Sequence, residues 1–191
     1  MKPIAIAGLA TLLLSGGALA QTGTARGVFG AGLTAGGDTL ATVVFSDGSS
    51  EDIKAGGLLH VFGGVEFRAS QTVTMQVNVG YQIDDTSGGS NGSLRFSRYP
   101  IEALAHVQIN PAFRVGGGVR FVTSPKVAGS GVLNYVNIPY DSATGAVIEG
   151  EYLVTPNIGL KLRAVTEKYK PKGGGASVDG NHIGFTFSWY I

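Results

Sequence analysis

The segment His182-Ile183-Gly184-Phe185-Thr186-Phe187-Ser188-Trp189-Tyr190-Ile191 decides the fold. Ile183, Phe185, Phe187, Trp189 and Ile191 fill every odd position and are large and apolar. The even positions are polar or small, apart from the amphipathic Tyr190. Alternation with a period of two marks a strand with one oily face. The sequence closes on this strand without a polar tail, and an unpaired apolar edge invites aggregation. Pairing the last strand with the first removes that edge, so a closed barrel is the expectation.

The segment resembles the final strand of the small outer-membrane β-barrels of the OmpA, OmpX and OmpW type. The resemblance implies that Ile183, Phe185, Phe187, Trp189 and Ile191 form the signal for barrel insertion, with the barrel-assembly machinery as a partner. That family usually ends on an aromatic residue, often Phe; here Ile191 follows Tyr190.

The same alternation recurs upstream. Phe29, Ala31, Leu33 and Ala35 form the oily face of a first strand from about Arg26, which extends through Thr39 to Phe45 toward a tip at Asp47-Gly48. The return, about 52–69, sets Leu59, Val61, Val65 and Phe67 against His60, Glu66 and Arg68. Residues 73–84 alternate most cleanly, Val73, Met75, Val77, Val79, Tyr81 and Ile83 against polar partners. Further strands are expected at about 94–109, 113–121, 146–154 and 158–164, which brings the count to eight. Pro100 predicts a bulge or a frayed end. Connections alternate in length. Those at 70–72, 110–112 and 155–157 are tight; those at 46–51, 85–92, 128–145 and 170–181 are longer. Short turns on one side and long loops on the other is the outer-membrane arrangement, and an even strand number puts both termini on the periplasmic side.

Composition agrees. The chain of 191 residues suits one domain, and only 14% of it is charged while Gly contributes 31 residues. Mean hydropathy is positive, yet no run of about 18 apolar residues follows the first twenty, so apolar residues are spread along strands. A formal charge of +1 argues against a nucleic-acid footprint. The absence of Cys excludes disulfides and a lipid-modified N-terminal Cys. Residues 1–20 read as a cleavable signal peptide: Lys2, an apolar run from Ile4 to Leu14, and Ala18-Leu19-Ala20 as the cleavage site. Residues 21–191 are then one all-β, eight-stranded, antiparallel up-and-down transmembrane barrel domain in the outer membrane of a Gram-negative bacterium.

A lipocalin-like soluble barrel also alternates, with its apolar face inward. The apolar face here carries too much volume to fit inside eight strands, and the polar face holds charges of both signs. That face groups Glu66, Arg68, Glu102, Arg114, Arg120, Glu149, Glu151, Lys161 and Arg163 with His60 and His106. A three-residue turn at 155–157 sets Val154 opposite Ile158 and pairs residues whose numbers sum to 312. Glu149 then faces Arg163, and Glu151 faces Lys161. The turn at 110–112 gives pairs summing to 222, so Glu102 faces Arg120 and Gln108 faces Arg114. These opposed charges read as a plug in a lumen just wide enough for side chains.

No metal-ligand spacing and no cofactor motif appears. His182 with Asp179 and Ser177 is the nearest approach to a hydrolytic triad. The leading expectation is a monomeric, non-enzymatic barrel with a structural or surface-interaction role. The alternatives are a narrow passive channel for ions or small apolar solutes, and a lipid A-modifying enzyme. Outer-membrane lipid and lipopolysaccharide are the expected partners. Lys168, Lys170 and Lys172 lie in external loops with Tyr135, Tyr140 and Tyr169, where a solvated loop is the plainer reading.

Overall fold

The computed structural model describes residues 25–44, 48–86 and 92–191. The expected signal peptide at 1–20 and Asp47 of the expected first tip lie outside the described residues, as does most of the 85–92 loop. Thirteen strands follow in order: β1 (Ala25–Gly36), β2 (Thr39–Val44), β3 (Ser50–Lys54), β4 (Leu58–Arg68), β5 (Val73–Asp85), β6 (Leu94–Asn110), β7 (Phe113–Gly129), β8 (Asn137–Pro139), β9 (Ala143–Thr155), β10 (Ile158–Thr166), β11 (Lys168–Tyr169), β12 (Val178–Asp179) and β13 (His182–Tyr190). Eight of them, β1, β4, β5, β6, β7, β9, β10 and β13, close into an antiparallel barrel. The terminal strand pairs with the first: Phe29 stands opposite Trp189, Ala31 opposite Phe187 and Leu33 opposite Phe185.

The two faces have inverted polarity. Phe185, Phe187, Trp189, Leu162, Ile148 and Val119 are 45–67% exposed on the outside. Glu102, Arg120, Lys161 and Glu151 are at most 1% exposed on the inside. Only an apolar surroundings for the outer wall makes this arrangement stable. Aromatic side chains mark both ends of the apolar band. Phe67, Phe113, Tyr152 and Trp189 lie toward the short turns, and Tyr81, Tyr99 and Phe121 toward the loops. Among the described residues no helix is long and apolar enough to cross a membrane; this wall crosses with strands.

The turns differ in detail from expectation. Ile158 pairs with Thr155, not Val154, and Gly159 with Leu153. Asn110 likewise pairs with Phe113. Each connection is a two-residue turn, Pro156-Asn157 or Pro111-Ala112, beside a bulge that takes up the third residue. The bulge restores the expected register one step further along both hairpins.

The loop end is more structured than the sequence suggested. β6 and β7 run 17 residues each, so β7 carries on to Gly129 where a strand ending near Phe121 was expected. Gly36 (φ 134°) and Gly37 (φ 77°) break the first strand, and β2–β3 form a separate ribbon beyond it. Between the loops lies an apolar cluster of Ile53, Ala55, Leu94, Phe96, Val122, Val127, Tyr140, Ala143 and Tyr169. Tyr140 and Tyr169, expected in solvated loops, are 5% and 0% exposed. They meet Phe96 edge-on at centroid distances of 5.8 and 5.4 Å. The chain places both at short bridges, β11 with β12 and Tyr140 with Pro171, that turn the rings inward.

The outer band carries a depth-dependent prediction. Phe187→Arg, midway along β13, should lower unfolding stability in lipid vesicles by about 2–4 kcal/mol, whereas Ile191→Arg at the turn end should cost about 0–1 kcal/mol. Equal losses would contradict the assigned lipid-facing register.

Candidate functional site

The lumen is the site that the fold builds. Odd-numbered positions of β9 and β10 point inward, as do even-numbered positions of β5, β6 and β13 and of β7 as far as Val122. The barrel therefore gathers charges from strands far apart in sequence. They form one uninterrupted chain of alternating sign.

At the turn end, Arg26 contacts Glu66 at 2.7 Å, and Glu66 contacts Arg114 at 2.7 Å. Arg114 donates from Nε to Glu151 at 2.7 Å. Tyr190 bridges the same pair, accepting from Arg114 Nη2 and donating to Glu151 Oε1, both at 2.6 Å. Its lumen position explains the one bulky even residue of the terminal strand. Lys161 reaches Glu151 at 3.8 Å and Glu149 at 2.9 Å. Glu149 faces Arg163 at 3.7 Å, too long for a hydrogen bond. Arg163 and Arg120 both donate to Glu102 Oε1 at 2.8 Å. Arg120 also donates to Glu167 Oε2 at 2.9 Å, and Glu167 approaches Arg98 at 3.9 Å. Arg98 packs over the Phe96 ring, 4.7 Å from its centroid, so the chain ends against the aromatic cluster.

Space for these side chains comes from small neighbours. A Cβ at Gly159 would collide with the Glu151 carboxylate, and one at Gly116 with the His106 ring. The β5 wall carries no charge until Asp84 at its loop end, which accepts from the Lys54 backbone. Gln76, Asn78 and Gln82 supply amides, with Gln82 accepting from Arg120 Nη2 and donating to Thr34 Oγ1 at 2.9 Å.

The expected register partners stand opposite one another: Glu102 and Arg120, Glu149 and Arg163, Glu151 and Lys161, Gln108 and Arg114. The shortest contacts are not all along the register. Lys161 leans diagonally to Glu149, and Arg163 crosses the lumen to Glu102. His60 and His106 are both 1% exposed. His106 meets Glu149 Oε1 through Nε2 at 2.8 Å, and His60 stacks on Phe62. Arg68 is not within the lumen. Its side chain lies at the exposed mouth, where the turn end opens into a vestibule of about 660 Å³ lined also by Arg26, Glu66 and Arg114. β4 ends at this residue, so its inward parity carries it past the barrel wall.

Arg26, Arg98 and Glu167 belong to the chain but were not singled out from the sequence. Glu167 continues the inward parity of Arg163 and Val165, three residues past the expected end of the strand. Arg98 continues the parity of Glu102 across Pro100. Extending the expected 158–164 strand finds Glu167, and reading the inward parity through Pro100 finds Arg98.

His182 and Ser177 do not form a triad. His182 donates from Nδ1 to the Gly180 carbonyl at 2.8 Å and lies 3.6 Å from Glu167. Ser177 is exposed, and Asp179 Oδ1 instead accepts from the Asn181 backbone at 2.8 Å. Among the described residues no group of three His, Cys, Asp or Glu could hold a metal ion. At the loop end, burial in the aromatic cluster raises the Tyr169 phenol above its ordinary range, and so does its 2.6 Å hydrogen bond to Glu167. Burial likewise raises Tyr140.

An apolar outer wall, two aromatic rows and an ion-paired lumen define a transmembrane β-barrel of the small outer-membrane type. The fold is similar to that of Ail, the attachment invasion locus protein of Yersinia pestis, solved in complex with the heparin analogue sucrose octasulfate. The TM-score is 0.58 at 11% identity, covering 88% of this chain and 97% of that one. Neisserial surface protein A is also similar, with a TM-score of 0.53 at 10% identity, covering 90% of this chain and all of that one (100%). At these identities the likeness is one of fold. No family model and no curated protein matches the sequence.

Each buried ion costs several kcal/mol to desolvate, and removing one partner leaves the other uncompensated. Glu102→Ala leaves two guanidinium groups without their shared acceptor and should cost about 3–5 kcal/mol. Glu102→Ala with Arg120→Ala should recover part of that loss, with a coupling of about 1 kcal/mol or more in a double-mutant cycle on unfolding in detergent. Additive losses would show that the two side chains are not coupled.

Proposed function

We propose that this protein is an integral outer-membrane barrel with a lumen closed by its own side chains, acting at the cell surface as a structural or interaction module. The carrying observation is the ionic chain from Arg26 to Arg98. It crosses the barrel end to end with contacts of 2.7–3.9 Å and meets the apolar cluster beneath the loops. A hydrated path would have to part several of these pairs at once, and the interior of eight strands leaves little room beside them. In the same proposal residues 1–20 are removed after export, with cleavage following Ala20. The terminal strand with Ile183, Phe185, Phe187, Trp189 and Ile191 directs assembly, and the barrel works as a monomer with both termini periplasmic. The exposed ends, where Lys168, Lys170 and Lys172 stand, face lipopolysaccharide and extracellular partners.

Conductance tests the closed lumen. In planar bilayers the wild-type barrel should pass no steady current. Glu102→Ala with Arg120→Ala, which removes two side chains from the middle of the chain, should admit ions. A steady unit current through the wild type would overturn the reading in favour of a narrow passive channel.

A further inference from the structure

The outer wall of β9, β10 and β13 combines a polar notch with an apolar trough. Thr144 and Thr166, outward-facing on β9 and β10, line a notch of about 460 Å³ together with Lys168 and Asn181. All four are exposed. Asn181 accepts from the Glu167 backbone through Oδ1 at 2.9 Å, which leaves its amide nitrogen as a free donor. Asp179, opposite Lys168, turns Oδ1 onto the Asn181 backbone at 2.8 Å. Among the described residues Lys168 has no ion-pair partner. Thr144 stands beside Phe121 of the loop-side aromatic row, so the notch lies at headgroup depth.

Toward the turn end the same strands carry a trough of about 430 Å³. Its floor is two small residues. Ala164 lies between Ile148 and Ile183, and Gly150 lies between Val115 and Leu162. The trough starts at Ala164, one outward residue below Thr166, and reaches Leu162, about 13 Å along the strand from Thr166. A cation with hydroxyl and amide donors above, and an apolar groove directly below, is the outline of a single amphipathic anion.

We propose that β9, β10 and β13 hold one anionic lipid of the loop-side leaflet. Its phosphate sits on Lys168, Thr144, Thr166 and Asn181, and one acyl chain lies between Ile148 and Ile183. This rests on the membrane-spanning reading above. A second copy of the barrel is the poorer occupant, because a two-fold contact on this face would bring Lys168 against its own symmetry mate.

Native mass spectrometry of the full barrel, released from neutral detergent with equimolar phosphatidylglycerol and phosphatidylcholine of matched chains, tests the site. The wild type should retain one phosphatidylglycerol with about five-fold preference, the ratio expected from one interfacial lysine. Lys168→Gln should abolish the preference. Ala164→Phe, which fills the trough, should lower retention of both lipids. Lys126→Gln, a loop-end lysine outside the notch, should change neither. Equal retention of the two lipids by the wild type would overturn the site, as would the same loss in Lys126→Gln, or dimers in place of lipid adducts. Heat-modifiable migration is read alongside. A folded barrel without lipid preference contradicts this inference alone, whereas recovery as a soluble, unmodifiable protein contradicts the membrane reading itself.

Discussion

A charge inside a narrow barrel needs an opposite charge close beside it, and the interior of this protein is arranged around that requirement. Closure of the sheet sends one side of every strand to lipid and the other to a space only side chains can fill. Arginine and glutamate placed there cannot be left dry and unpaired. The chain from Arg26 to Arg98 meets the requirement by strict alternation of sign, so each interior carboxylate serves two cations. Glu102 at its centre receives guanidinium groups from two strands on different sides of the lumen, β7 and β10. The cross-lumen bond adds to the wall a brace that neither hairpin could supply alone.

The two ends of the chain have different surroundings. At the turn end Arg26 remains partly exposed, beside a vestibule that Glu66 and Arg114 also line. At the loop end the last pair lies under Phe96, Tyr140 and Tyr169, and the Tyr169 hydroxyl is bonded to Glu167. The loops thus have a core of their own, continuous with the lumen through one carboxylate. Disturbance of the surface loops and of the ionic chain should therefore be coupled at Glu167.

Much of this was legible from residue parity. Period-two alternation identified the strands and sorted Glu102, Arg120, Glu149, Glu151, Lys161 and Arg163 onto one face. The tight turns fixed which of them stand opposite each other, even though each turn hides a bulge, because the bulge lies before the register begins. Parity does not report the direction in which a long side chain leans, so Lys161 bonding to Glu149 and Arg163 reaching Glu102 lay beyond it. Nor does it give the height of the wall, which is why Arg68 falls outside the lumen and Glu167 falls inside. Tyr140 and Tyr169 sit among Gly, Pro and Lys, where local composition reads as loop. Only the long-range packing of β2–β3, β8 and β11–β12 over the barrel mouth buries them.

A lumen closed by paired charges depends on the arginines in the middle of the barrel, and solid-state NMR of the arginine-labelled protein in lipid bilayers reads their condition most directly. The guanidinium nitrogens of Arg120 and Arg163 should show through-space contact with the Glu102 carboxylate and slow exchange with water. Rapid water exchange at both arginines, with no contact to Glu102, would contradict a lumen filled and held by paired charges.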